Sequence, residues 1–137
     1  MTDAPELSVI MTIVDGGETL TRCLEALESQ TDGPRMEVLV PFDAARPVDA
    51  ATIARFSGFT FMDLGRLRAT PKNPFEEHEL YDRRRAAGLA RARAPLIAIL
   101  EDRGRPAPGW ARAMVDAHRR HADGVIGGAV ESAAPDL

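Results

Sequence analysis

The chain alternates short apolar runs with segments whose apolar residues recur at helical spacing. Five runs rich in apolar residues, many of them β-branched, predict strands near 7–13, 36–42, 59–64, 95–101 and 124–130. The segments between them predict helices near 17–30, 48–56, 76–92 and 108–121. In the third helix, Leu80, Ala87 and Ala90 form the expected inward stripe. The βαβαβαβαβ order predicts an α/β fold, a three-layer, doubly wound and mostly parallel sheet.

Length and composition indicate one domain, residues 1–137, with its own hydrophobic core. No run approaches the roughly 18 apolar residues of a membrane span, so no transmembrane segment is expected. The start, "MTDAPELSVIM", lacks the basic flank and apolar run of a secretion signal. The single Cys23 cannot form an internal disulfide, and its place among the leucines of the first helix predicts a core residue. We therefore expect a cytoplasmic protein.

The net charge of −4 is unevenly distributed along the chain. Residues 1–65 carry four basic and eleven acidic side chains, whereas residues 66–137 carry thirteen basic and ten acidic ones. The overall acidity argues against broad nucleic-acid binding. The basic second half can either receive a small anion, such as a nucleoside diphosphate, or form a solvated, arginine-rich helix face.

Two adjacent carboxylates, Glu101 and Asp102, follow the apolar run "PLIAIL" of the fourth predicted strand. Parallel sheets bind ligands at the carboxyl ends of their strands, near the switch in strand order. Oxygen ligands at such an edge can hold Mg²⁺ or Mn²⁺ beside substrate phosphates, although surface residues or helix caps often carry the same pair. We expect both carboxylates to be exposed at a binding site rather than structural.

Other site classes have weaker support in the sequence. The Gly16-Gly17 turn lacks the spacing of dinucleotide-binding and P-loop motifs, and no Gly-x-Ser-x-Gly elbow indicates a hydrolase. His118 and His121 lie three residues apart near a helix end, where favourable interaction with the helix dipole explains them better than a metal does.

Four blocks of the sequence together carry a resemblance to a known protein family. They are "LSVIMTIVDGGETLTRCLEALESQ", "EVLVPFDAA", "RRRAAGLARARAPLIAILEDR", and "RPAPGW" with "GVIGGAV". In order and spacing they resemble the amino-terminal half of family-2 glycosyltransferases with the GT-A fold, over nearly the whole chain. The third block is the most specific, because it resembles that family's arginine-containing helix running directly into a strand and an Asp-x-Asp motif.

This resemblance implies transfer of a sugar from a nucleotide-sugar donor to an acceptor, usually with inversion and a divalent metal, Mn²⁺ or Mg²⁺. The positions that match the family motifs would all lie at the donor site: Ile13, Val14 and Asp15 at the base and ribose, Asp43 near the base, Arg85 near the diphosphate, and Glu101 and Asp102 as the metal-binding pair.

The chain also departs from the family pattern. Arg103 stands where the Asp-x-Asp motif has its last aspartate, and Phe42, Val14 and Ala86 replace three other typical residues. A guanidinium at position 103 can neutralise diphosphate oxygens without a cation. Alternatively, Asp102 still binds metal and Arg103 pairs with Glu101.

The catalytic base is not identifiable, because that family takes it from a region beyond the fifth strand. We expect either a fragment of a longer enzyme or a reduced module that binds a nucleotide sugar without efficient transfer. A homo-oligomer and a missing carboxy-terminal region both stay open, and the sequence does not identify the donor or the acceptor.

Overall fold

A computed structural model describes residues 3–132. Its strands are β1 (Leu7–Thr12), β2 (Met36–Phe42), β3 (Thr60–Asp63) and β4 (Leu96–Glu101). Its helices are α1 (Gly17–Glu28), α2 (Ala50–Arg55), α3 (Glu76–Arg91) and α4 (Trp110–Arg120). Strands and helices alternate from β1 to α4, as the apolar pattern predicts. No helix within the described range is both long and apolar enough to cross a membrane.

The four strands form one all-parallel sheet in the order β3-β2-β1-β4. β1 lies inside the sheet, where Leu7 is in register with Met36 of β2 on one side and Leu96 of β4 on the other. The chain builds outward from β1 to β3 and then returns to the opposite side of β1 for β4. The switch in strand order therefore lies between β1 and β4, and their carboxyl ends are the expected place for a ligand.

The hydrophobic core lies on the face of the sheet that α1 and α4 cover. Val9 and Met11 of β1 point into it, because alternate residues of a strand share a face. Leucines of α1 and Val115 of α4 complete it. Cys23 is fully buried there, as predicted, and burial raises the pKa of its thiol to about 12.

The opposite face is covered by α3, which packs close to β1 and β2. A Cβ atom added to Gly88 would lie 2.7 Å from Cγ2 of Ile10, so the helix approaches β1 at a distance that glycine permits. The inward residues of α3 are Arg84 and Gly88, whereas Ala90 is exposed. The predicted inward position of Ala90 is wrong, since the helix turns Arg84 toward the sheet instead.

The predicted fifth strand is also wrong. Within the described residues, 124–130 form no strand, and Val125 and Val130 are fully exposed. Three of these seven residues are glycines, which have no side chain to pack and lose the most backbone freedom on ordering. The apolar side chains of the segment, Val125, Ile126, Ala129 and Val130, bury too little surface to offset that cost.

β4 consequently forms an edge of the sheet as described. Ile97 and Ile99 lie on the α3 side of β4 and are exposed, because α3 packs over β1 and β2. Leu100 and its neighbours on the other face of β4 pack against the core.

Candidate functional site

The carboxylate of Asp102 anchors the turn between β1 and α1. It is 1% exposed and accepts hydrogen bonds from three consecutive backbone amides, those of Val14 (3.0 Å), Asp15 (3.2 and 3.3 Å) and Gly16 (2.7 Å). The backbone N–H of Asp102 donates to the carbonyl oxygen of Thr12 at 3.0 Å. Our expectation that Asp102 is exposed is therefore wrong, because its side chain fills an internal structural role.

The local backbone explains why a carboxylate belongs at this point. Gly16 and Gly17 have φ values of 69° and 53°, a left-handed conformation that favours glycine. The turn they form directs its amide groups to one spot just before the amino terminus of α1. The partial positive charge of that helix end attracts an anion, and Asp102 supplies it from the neighbouring strand end.

Arg103 pairs with Asp15 across the two strand ends. Its Nε lies 2.9 Å from Oδ2 and its Nη2 lies 2.8 Å from Oδ1, so the guanidinium and the carboxylate form a two-bond fork. These hydrogen bonds lower the pKa of Asp15 and raise the pKa of Arg103. The side chain of Arg103 is 62% exposed. Its partner is thus Asp15, not the Glu101 that one of our two interpretations proposed.

Glu101 and Arg85 form the other side of the same edge. Glu101 is exposed, as predicted, and its Oε1 lies 3.6 Å from Nη2 of Arg85. Arg85 donates from Nε to Oγ1 of Thr12 at 3.0 Å and pairs with Asp82 at 3.2 Å. The structure thus brings Arg85 to the carboxyl end of β1, where the sequence analysis expected it.

Asp43 lies just beyond the carboxyl end of β2 but is not available to a ligand. Its Oδ1 accepts a hydrogen bond from Nε of Arg84 at 2.9 Å, and both side chains are almost fully buried. The backbone N–H of Arg46 donates to the same oxygen at 3.1 Å. Arg84 was not predicted as a site residue, although its spacing of four residues from both Leu80 and Gly88 places it on the inward stripe of α3.

Three guanidiniums lie around the ring of Tyr81 near this end of the sheet. The central carbons of Arg46, Arg84 and Arg85 lie 5.9, 5.4 and 5.9 Å from the ring centroid of Tyr81. Arg46 also donates to the Tyr81 hydroxyl oxygen at 3.3 Å, and this hydrogen bond is the main cause that raises the pKa of Arg46. Neither Arg46 nor Tyr81 was predicted from the sequence as a site residue.

The two remaining residues predicted at the donor site, Ile13 and Val14, present little side-chain surface there. The side chain of Ile13 is buried in the core, and Val14 is half-buried with its amide bound to Asp102. Neither side chain is freely presented to a base. The exposed side chains at the switch point are therefore Asp15, Glu101 and Arg103, beside the half-buried Arg85.

These side chains do not fit a divalent metal ion in the arrangement described. Both oxygens of Asp102 accept backbone amides, and Glu101 faces Arg85. Arg103 brings a positive charge to the same strand end. Across residues 3–132, no three His, Cys, Asp or Glu side chains converge as a metal site would require. Metal binding by Glu101 and Asp102 stays a prediction.

No protein-family model matches the chain, and no curated protein matches it significantly. The family resemblance therefore depends on the motif blocks alone. The residues of the site itself offer cationic, hydrogen-bond-donating groups at the switch point of a parallel sheet.

Proposed function

We propose that the chain is the nucleotide-sugar-binding domain of a glycosyltransferase. The observation that carries the proposal is the position of Arg85 and Arg103, two guanidiniums at the carboxyl ends of β1 and β4, where the strand order switches. Open parallel sheets bind ligands at this point, and guanidiniums suit phosphate oxygens. The order of the four motif blocks supports the same assignment.

In this proposal the donor lies across the ends of β1, β2 and β4. Its diphosphate binds between Arg85 and Arg103, and its nucleoside extends over the 13–15 turn toward the end of β2. A hydroxyl oxygen of the acceptor attacks the anomeric carbon and loses its proton to solvent water. The bond from that carbon to the diphosphate oxygen breaks, and the nucleoside diphosphate leaves with the electron pair. The arginines would balance its charge, and the configuration at the anomeric carbon would invert.

Calorimetric titration with UDP, GDP, ADP, CDP and dTDP tests the binding step. We expect one of them to bind, and we expect the variant Arg85→Gln to weaken that binding about tenfold or more, as loss of a charge-assisted hydrogen bond would. Arg105→Gln is the matched control. It removes the same charge, but Arg105 lines a different surface pocket, with Arg22 and Glu25 of α1. Absence of binding by all five at millimolar concentration would contradict the proposal.

A second candidate function is nucleotide-sugar binding without transfer. The observation that favours it is that the carboxylates at the ends of β1, β2 and β4 are all engaged: Asp15, Asp43 and Glu101 by arginines and Asp102 by backbone amides. None of these four is a free general base as the side chains stand. Release of nucleoside diphosphate from the bound donor, measured with and without candidate acceptors, separates a transferase from a binding module.

A further inference from the structure

Residue 103 is a cation at the place where the resembled motif has its last carboxylate. The turn that follows β4 fixes its direction, since the N–H of Gly104 donates to the carbonyl oxygen of Glu101 at 2.9 Å. Asp15 then holds the guanidinium through two hydrogen bonds of 2.8 and 2.9 Å. A side chain on a long, flexible stem is thereby set in one orientation at the switch point.

We propose that Arg103, held in place by Asp15, binds the diphosphate of the ligand through its remaining N–H donors, in the place that a divalent metal would otherwise fill. The site would then bind a diphosphate group in the absence of metal. That the ligand also carries a nucleoside rests on the function proposed above, whereas binding of the diphosphate group itself does not.

The position of Asp102 supports this inference, because moving its carboxylate would break the hydrogen bonds that hold the β1–α1 turn. The carboxylate is the acceptor for three backbone amides, and moving it toward a metal would remove their only protein acceptor among the described residues. Buried donors without an acceptor are costly. Asp102 therefore cannot anchor the turn and bind a metal with the same oxygens at the same time.

The N–H groups of the two arginines also suit a diphosphate. The charge of Arg103 is already paired with Asp15 and that of Arg85 with Asp82 and Glu101, so each guanidinium serves a phosphate chiefly through its directional N–H donors. The fork with Asp15 uses Nε and Nη2 of Arg103 and leaves the N–H groups of Nη1 for a ligand. A divalent ion placed beside the same guanidinium would be repelled by it.

Titration of the protein with inorganic pyrophosphate and with the nucleoside diphosphates in EDTA tests the inference. We expect pyrophosphate to bind without metal and Arg103→Gln to weaken it about tenfold or more. Arg103→Lys keeps the charge but loses the two-bond fork, so we expect its affinity to lie between those of the unaltered protein and Arg103→Gln. Arg105→Gln, a control with the same change of charge, should bind as the unaltered protein does, and far-ultraviolet circular dichroism establishes that each variant is folded.

The outcomes separate this inference from the proposed function. Pyrophosphate binding in EDTA that depends on Arg103, with no gain from any nucleoside, would support the inference and contradict the proposed function. Binding of a nucleoside diphosphate only after magnesium or manganese is added would overturn the inference and leave the proposed function standing. Equal affinities of the unaltered protein and Arg103→Gln would overturn the inference, and absence of binding by every probe would overturn both.

Discussion

Replacing Asp102 with asparagine changes the buried anchor of the β1–α1 turn with almost no change in volume. The carboxylate now offers Oδ1 to the amide of Val14 and Oδ2 to that of Gly16, and both oxygens lie within 3.3 Å of the amide of Asp15. An asparagine keeps one oxygen and presents an NH₂ group in place of the other. Whichever way it is turned, at least one backbone donor then faces a donor.

The magnitude of the effect follows from these contacts. A hydrogen bond to a charged acceptor contributes about 1.5–3 kcal/mol, and a buried donor left unsatisfied costs about 1–3 kcal/mol. The lost hydrogen bond and the unsatisfied donor concern the same backbone amide, so the two figures do not simply add. We expect Asp102→Asn to lower the free energy of unfolding by about 2–4 kcal/mol. That is a large part of the roughly 5–15 kcal/mol that stabilises an ordinary domain.

Urea denaturation followed by far-ultraviolet circular dichroism measures this loss. Glu101→Gln is the matched control, since Glu101 is its exposed neighbour and meets Arg85 at 3.6 Å. We expect that control to change stability by less than about 1 kcal/mol, the usual range for exposed ion pairs. An Asp102→Asn variant as stable as the control would refute the assignment of this carboxylate as the anchor of the turn.

Three further predictions concern the core and the buried ion pair. Arg84→Met leaves the buried carboxylate of Asp43 without its partner, so urea denaturation should show a loss of about 3–5 kcal/mol, and a loss below 1 kcal/mol would contradict the pairing. Gly88→Ala places a methyl group 2.7 Å from Ile10, so overpacking of about 1–3 kcal/mol should outweigh a helix-propensity gain of about 1 kcal/mol. Greater stability would show that Ile10 moves aside freely. The Cys23 thiol is fully buried and its pKa is raised to about 12, so it should react with a disulfide reagent at pH 8 at least about tenfold more slowly than in the urea-unfolded chain, and equal rates would contradict its burial.

The apolar pattern predicted the elements that bury a continuous face. β1 is buried on both faces, β2 is buried over its middle residues, and α1 has a clear inward stripe, so their boundaries agree with the prediction to within about two residues. The segment 124–130 has a similar apolar content but three glycines, and it forms no strand among the described residues. Apolar content alone does not reveal whether a partner strand and enough buried surface exist.

The candidate site was predictable in position but not in its pairings. Parallel strands end at one edge of the sheet, so Asp15, Glu101 and Arg103 could be assigned to that edge from sequence. Their partners could not, because Arg103 meets a residue 88 positions away. The alternation of side chains at a strand end offered one unused signal, since Glu101 and Asp102 are adjacent and face opposite ways. A second signal was the helical spacing that turns Arg84 inward.

The link between Asp102 and the β1–α1 turn has a consequence for how the chain folds. A nascent chain that ends before residue 96 contains the segments of β1, β2 and β3 but has no carboxylate for the three amides of residues 14–16. Those contacts span 86–88 residues, so they form only once β4 has joined β1. A ligand held by Arg103 and the turn therefore binds the sheet only once β4 is in it, and it stabilises the pairing of β4 with β1 by mass action. Docking of β4 and the onset of binding would be the same event.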